Sequence, residues 1–384
     1  MLLDATAVPA DRGGVGRYVD CLVAALDADG AAPTVLCQQR DAALYAELAP
    51  HAEVVPVPEQ VATRTARLTW EQTTLPRVAR RLRADVLHCP HYTMPLANSA
   101  ATVVTLHDAT FFTDPGLHSP VKARFFRAWT RASARRAALC VVPSSSAARE
   151  LRRVAGADER KLHVAHHGVE GDRFHPPSPD EVAAVRRRLG LGRAPYVGFL
   201  GALEPRKNVP ALIRGFARAS QLLSRRGGQP GAEAPALVLA GQPGWDRQVE
   251  RALHAVPHRV RVIRAGYLPL DELSGFLGGS ALVAYPSLGE GFGLPVLEAM
   301  AAGAAVLTTK RLALPEVGGD AVAYCGIGAG DIAAAIVDLL DDPARRAELS
   351  AAAQRRAKEF TWAASAVRHR EAYAKAAALH RRDR

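Results

Sequence analysis

Short runs of apolar, β-favouring residues alternate along the chain with longer stretches of helical periodicity. Residues 2–8, 34–36, 85–88, 102–106 and 139–142 read as buried strands, with helices at 17–26, 75–82, 120–138 and 145–155 between them. The alternation resumes with strands at 196–200, 237–240, 260–263, 281–284 and 305–308 and helices at 209–218, 270–277 and 295–302. Strands that are apolar at nearly every position, with helices between them, predict parallel sheets covered on both faces. Two such sets predict an α/β chain of two doubly wound, Rossmann-like domains. Segment 172–180 is the expected joint, because prolines 176, 177 and 179 oppose helix and central strand there. The expected domains are 1–175 and 176–360, with an Ala- and Arg-rich helix at 361–384 packing back on the first. A Pro/Gly-rich stretch at 225–235 reads as a surface loop.

The 384 residues are 48% hydrophobic and 23% charged, which excludes a globally disordered chain. No run of 18 apolar residues occurs, and the best candidate, 293–307, is broken by Glu298, so no transmembrane span is expected. The first residues lack the basic start and apolar run of a signal peptide. Cysteines at 21, 37, 89, 140 and 325 are too scattered for a metal site or a disulfide framework. These readings predict a soluble, cytoplasmic protein.

The net charge of +11 is unevenly placed, with 21 basic against 18 acidic residues over 1–175 and 28 against 20 over the remainder. Locally, segment 64–83 holds six arginines and one acid, Glu71, and segment 122–136 holds six basic residues and no acid. Such runs attract phosphates of a nucleotide, an anionic lipid or a nucleic acid, and they also occur as plain solvated faces.

In two doubly wound domains, ligands bind beyond the carboxyl ends of the strands, in a cleft. The turn from Asp11 to Arg17, with Gly13, Gly14 and Gly16, follows the first strand and opens a helix, so its N–H groups can approach an anion. It is not the dinucleotide fingerprint, whose third glycine is Val19 here, and a plain tight turn explains it equally well. His107 and Asp108 end another strand, where a histidine can orient a ligand hydroxyl. Arg206 and Lys207 follow the strand at 196–200 and pair a planar fork with a point charge, which suits a diphosphate. Gly241–Gln242 and Tyr267–Leu268 end two more strands, where a base or ribose can pack against backbone. The strongest pattern runs from Pro286 to Gly303. Glycines 291 and 293 precede a helix opened by Pro295, with Glu290 in the loop and Glu298 inside the helix.

Glu290 and Glu298, seven residues between them, in Gly-Glu-Gly-Phe-Gly-Leu-Pro-Val-Leu-Glu-Ala-Met-Ala-Ala-Gly, resemble the signature of family 4 of the retaining GT-B glycosyltransferases. The Gly-Gly-Val-Gly turn, Thr-Leu-His-Asp108, Val142-Pro-Ser-Ser-Ser146, His167-Gly-Val169 and Gly-Ala-Leu-Glu-Pro-Arg-Lys-Asn208 fall in family order over nearly the whole chain. The resemblance implies transfer of a sugar from a nucleotide diphosphate donor to an acceptor hydroxyl, with retention at the anomeric carbon and neither metal nor resident cofactor. It implies that Glu298 holds the donor ribose, Glu290 the hydroxyls of the transferred sugar, and Arg206 and Lys207 the departing diphosphate. Gly241, Gln242, Tyr267, Leu268, Gly291, Phe292, Gly293 and Leu294 would line the nucleotide, Gly13 and Gly14 would assist, and His107 would contact the sugar. Ala202 stands where many family members carry an arginine, a role that Arg206 would take here. The Glu-Pro-Arg-Lys-Asn sequence resembles members that often use GDP-mannose, with UDP-glucose and other donors left open.

A nucleotide-sugar 2-epimerase of the same architecture is the alternative within the fold, against which the paired glutamates argue. A basic nucleic-acid-binding protein is the alternative from another class. No recognition motif or aromatic-interleaved basic stretch supports it, so no nucleic-acid partner is expected. The resemblance implies an acceptor that is a glycan, glycolipid or small molecule. Phe125, Trp129 and Ala132 share one face of the 121–136 helix, with basic residues around them, so peripheral contact with an anionic membrane is also an expectation. Its rival is that both aromatics pack into the N-terminal domain.

Overall fold

A computed structural model describes residues 1–10, 12–226 and 233–382. Asp11 and most of the 225–235 stretch therefore lie outside the described residues. The chain divides into two compact units, Met1–Gly168 with Phe360–Arg384, and Val169–Glu359.

The first unit is built on seven parallel strands: β1 (Leu2–Asp4), β2 (Thr34–Gln38), β3 (Glu53–Val57), β4 (Val86–Cys89), β5 (Ala101–Thr105), β6 (Leu139–Val142) and β7 (Leu162–Val164). Their spatial order is β3-β2-β1-β4-β5-β6-β7. Neighbouring side chains point to opposite faces, so Leu2, Val104 and Val142 enter one apolar core, and Leu3, Val103 and Val141 enter the other. Helices cover both, which is why these strands are apolar without alternation. The second unit carries β8 (Tyr196–Leu200), β9 (Ala236–Ala240), β10 (Arg261–Gly266), β11 (Leu282–Tyr285), β12 (Val306–Thr309) and β13 (Ala323–Cys325), in the parallel order β10-β9-β8-β11-β12-β13. In each sheet the order of connection reverses once, between β1 and β4 and between β8 and β11. Those are the two points where such a fold opens a crevice beyond the strand ends.

Several expectations need correction. The first strand stops at Asp4, because its carboxylate accepts from the Thr6 amide (3.0 Å) and hydroxyl (2.6 Å) and turns the chain into a short 3-10 segment. Three strands escape the apolar pattern, β3, β7 and β13, and all lie at sheet edges, where most of their residues are only partly buried. The division between units falls at Gly168–Val169, ahead of the proline-rich stretch, so the second unit begins before residue 176. The reason is that residues 173–178 belong to the second unit's packing. The Ser274 hydroxyl donates to the Arg173 carbonyl (2.7 Å) and accepts from the His175 amide (3.1 Å). Pro179 opens the helix Pro179–Arg188 at its first turn, where a missing N–H costs nothing, and Ser178 with Glu181 closes a capping box. The C-terminal helix, Trp362–Arg382, belongs to the first unit. No helix of the described residues is long and apolar enough to cross a membrane.

Candidate active site

The switch point of the second sheet gathers the charged residues of the two best motifs. Beyond β8 a 3-10 turn, Pro205–Lys207, leads into the helix Val209–Arg225 through Asn208 in a left-handed conformation. The Asn208 amide donates to the carbonyls of Pro286 (3.2 Å) and Ile327 (3.0 Å), which anchors the turn against the loop following β11. The Leu288 amide donates to the Arg206 carbonyl (2.8 Å). The two loops thus form one unit, and Glu290 lies at its centre.

Glu290 is 7% exposed and its two oxygens receive four donors. Oε1 accepts from Lys207 Nζ (2.8 Å), Tyr285 Oη (3.0 Å) and Ser287 Oγ (2.8 Å), and Oε2 accepts from Arg206. Arg206 also donates to the Gly289 carbonyl (3.0 Å), and Lys207 to the Tyr285 hydroxyl, over whose ring its ammonium stands at 4.9 Å. Burial opposes ionisation of Glu290, but Arg206 and Lys207 overcome it and hold the carboxyl down at about 2. Burial and the neighbouring Arg206 lower the Lys207 ammonium, against the pull of Glu290. Burial and the Glu290 charge push the Tyr285 phenol well up, so it stays a neutral donor. Two cations on one buried carboxylate leave a surplus of positive charge, trimmed by Glu204 at 3.8 Å from Arg206.

The loop continues through Gly291, Phe292 and Gly293 into the helix Leu294–Ala301, capped by Gly293 at φ 108°, where a side chain would be strained. Glu298 is buried within that helix. The ends of β8, β9 and β10 are laced together. The Gly201 amide donates to the Ala240 carbonyl (2.9 Å) and the Gly241 amide to the Gly266 carbonyl (2.7 Å). Gly241 sits at φ 130°, and a Cβ there would lie 2.2 Å from the Gly201 carbonyl oxygen, so only glycine lets these strand ends approach. Gln242 and Tyr267 stand exposed on this rim, whereas Leu268 and Phe292 are buried and can offer a ligand only their backbone. Leu294 is half-buried. Trp245, 51% exposed beyond β9, is a rim aromatic that the sequence reading passed over.

His107, Gly13 and Gly14 belong to the first unit. The helix Gly14–Ala28 is capped by Gly13 in extended backbone, and a Cβ at either glycine would meet open space, so neither is there for steric reasons. Arg12 of the same turn is held inward by Asp20 (2.9 Å) and Asp41 (3.0 Å). His107, half-buried beyond β5, donates its Nε2–H to the Pro90 carbonyl (2.8 Å), because a carbonyl only accepts; burial lowers its pKa. The neutral ring therefore carries its lone pair on Nδ1, as an acceptor of a ligand hydroxyl requires. Around it stand Tyr18 edge-on at 5.1 Å, Tyr92 at 5.7 Å, His91 at 6.1 Å and His167 at 6.2 Å.

Behind His107 runs a buried chain of hydrogen bonds whose direction is determined by one carbonyl. His369 Nδ1 donates to the Ser365 carbonyl (2.7 Å), so its Nε2 accepts from Tyr18 (2.9 Å). Tyr18 then accepts from the Thr105 hydroxyl (2.8 Å), Thr105 from His88 Nε2 (2.8 Å), and His88 Nδ1 from Tyr373 (2.9 Å). The chain starts and ends on the C-terminal helix. Burial lowers the pKa of both His88 and His369, the latter to about 4.

Tyr285 and Ser287, which complete the Glu290 cluster, carried no signal in the sequence beyond their place at a strand end. The basic helix, Pro120–Arg136, also packs differently from its aromatic stripe. Its buried face is Ala123, Phe126, Thr130, Ser133 and Ala134, whereas Phe125 and Trp129 are half-buried beside it. Phe126 stacks on Phe111 at 4.6 Å, and Arg64 lies over Phe125 at 5.5 Å. Arg67, from the other basic run, is turned inward onto Glu71 (2.8 Å).

Two family patterns cover the chain, Glycosyltransferase Family 4 over residues 12–173 and Glycosyl transferases group 1 over residues 140–356. The chain is 32% identical over 279 residues to O-antigen chain mannosyltransferase B of Escherichia coli, covering 72% of this chain and 71% of that one. It is 30% identical over 249 residues to D-inositol 3-phosphate glycosyltransferase of Xylanimonas cellulosilytica, covering 62% of this chain and 56% of that one. Among solved structures, Anabaena HepE in complex with UDP-glucose superposes with a TM-score of 0.71 at 18% identity, over 96% of this chain and 98% of that one. WaaG, a glycosyltransferase involved in lipopolysaccharide biosynthesis, does so with a TM-score of 0.71 at 15% identity, over 97% and 98%. With its GT-B pair of Rossmann-like units and a group 1 pattern spanning more than half its length, the chain belongs to the glycosyl transferases group 1 family.

Proposed function

We propose that this protein transfers a sugar, with retention, from a nucleotide diphosphate donor to an acceptor hydroxyl, and that the second unit holds the donor. The observation that carries the reading is the Glu290 cluster at the β8/β11 switch point, where Arg206 and Lys207 are fixed on one carboxylate beside the glycine turn. Lys207 engages Glu290 and Tyr285 with two of its three N–H groups, and the third serves a diphosphate oxygen. Holding both cations in place before the bond breaks stabilises the charge that develops on the leaving diphosphate. Glu298 takes the ribose, the Gln242 and Tyr267 rim faces the base, and His107 orients a hydroxyl of the sugar through Nδ1. Glu290, its lone pairs engaged by four donors, acts first as the holder of the cations, and the transferred sugar competes for it. Mannose from GDP-mannose is the proposed donor, supported by the mannosyltransferase relative and by the Glu-Pro-Arg-Lys-Asn sequence. The exposed arginines 124, 131 and 135 support an anionic or membrane-borne acceptor.

The test is a panel of nucleotide sugars incubated with the protein, with and without EDTA. We expect release of the nucleoside diphosphate from GDP-mannose ahead of other donors, undiminished by EDTA, and an α-linked product by NMR. Release from no donor in the panel, with any acceptor supplied, would overturn the reading. Interconversion of the donor to its 2-epimer would replace it with the epimerase.

A further inference from the structure

A cavity lies in the first unit at the opposite end of the strands from His107, and we propose that it binds a phosphate ester. It encloses about 620 Å³ at the amino-terminal ends of β5, β6 and β7, between the loop after β4, the end of the helix Pro120–Arg136 and the last turns of Trp362–Arg382. Four cationic side chains line it, Arg136, Arg160, Lys161 and Lys375, against one carboxylate, Asp158. Asp158 is paired with Arg160 at 2.8 Å, so the remaining charge is uncompensated within the cavity.

The cations are placed by backbone. Lys161 donates to the carbonyls of Arg135 (2.7 Å) and Ala137 (3.0 Å), which cancels the negative end of the helix there. Lys375 donates to the Arg160 carbonyl (3.0 Å), leaving two of its three N–H groups for a ligand, and Lys161 keeps one. Ammonium groups held in this way lose little freedom when an anion arrives, which favours binding. Leu96, 44% exposed, and Leu379 form an apolar wall beside them. A cavity of this size suits a small molecule rather than a bare ion. A phosphate bound by Arg136 and Lys375, with its ester group against Leu96 and Leu379, satisfies both linings. Because His107 lies beyond the carboxyl end of β5, this site is separate from the transfer chemistry proposed above.

The phosphate can come from a soluble ester or from a lipid headgroup, and two probes separate these sources. The intact protein is titrated with glycerol 3-phosphate by calorimetry, and sedimented with phosphatidylglycerol or phosphatidylcholine vesicles. We expect at least one phosphate probe to bind, and a chain carrying Arg136→Gln and Lys375→Gln to lose about tenfold or more in affinity while melting as the parent does. Binding of glycerol 3-phosphate assigns a soluble ester, and binding of phosphatidylglycerol vesicles alone assigns a headgroup. If neither probe binds, or if the double variant binds as the parent does, the proposal is wrong. Vesicle binding that disappears on Arg124→Gln with Arg131→Gln, yet survives the double variant, would overturn it in favour of the exposed helix face.

Discussion

At the scale of single residues, one buried carboxylate organises the donor side. Glu290 draws Arg206 and Lys207 onto itself, and the two cations in turn keep it ionised at about 2 although burial opposes this. Lys207→Ala removes one charged donor from the proposed diphosphate site while Arg206, Tyr285 and Ser287 still hold Glu290. Affinity for nucleoside diphosphate should fall by about 1.5–3 kcal/mol, with free nucleoside unaffected. Calorimetry that finds the same diphosphate affinity in the variant would take Lys207 out of the site. His107 calls for a different readout, because its Nε2–H also ties β5's loop to Pro90. If its Nδ1 lone pair acts on the sugar, His107→Ala should lower turnover by about 10- to 100-fold with donor affinity and melting temperature little changed. A variant that only melts early, with normal activity in its folded fraction, would make the histidine a loop anchor and nothing more.

Among the elements, the C-terminal helix has the most distinctive attachment. Trp362–Arg382 follows the second unit in the chain yet is tied into the first through Tyr18, Thr105 and His88 by hydrogen bonds running in one direction. Every ring in that path is neutral, and acid should therefore work against it. His369 titrates at about 4 when folded, against an ordinary 6.5, so the unfolded chain takes up the proton first as pH falls. Its contribution is intact above pH 6.5 and declines as pH drops from 6.5 towards 4, by about 3 kcal/mol over the full span. Glu290 behaves in the other sense of charge: its stabilising ionisation is complete above pH 4.5 and is lost only as pH falls towards 2. Calorimetric melts between pH 7 and 4.5 should thus show the first unit weakening, and His369→Phe should flatten that slope. An equal slope in the variant would dissociate the acid response from this helix.

For the whole molecule, the repetition of one architecture explains where its chemistry lies. Both sheets are parallel, both are covered by helices, and each reverses its order of connection once. Residues that follow β8 and β11 in sequence are separated by about eighty positions, yet the reversal makes those strands neighbours and brings Arg206, Lys207 and Glu290 together. The same rule places the turn after β1 beside the loop after β4 in the first unit. The amino-terminal edges of the strands carry the other concave basic feature, so the two ends of the first sheet differ in what they offer a ligand.

Local physical chemistry made much of this legible in the chain itself. Central strands are apolar at nearly every position because both faces are covered, and the limits of β6 and β8 are those of the apolar runs. The Pro-opened helix after the glycines, and the charged pair after β8, likewise show in the order of residue types. The edge strands β3, β7 and β13 did not, since they are only partly buried and their composition approaches that of a loop. Nor did the boundary at Gly168, because the stretch that looks like a linker is instead bound to Ser274 through Arg173 and His175, and Pro179 starts the next helix. What the tertiary structure alone decided is partnership: that Glu290 binds two cations, a tyrosine and a serine at once, that Phe126 rather than Trp129 anchors the basic helix, and that a helix from the far end of the chain supplies His369 to Tyr18. Sequence periodicity specifies which face of an element is buried, but contacts between residues far apart depend on the order in which strands are laid side by side, and that order is set only when the whole sheet closes its cores.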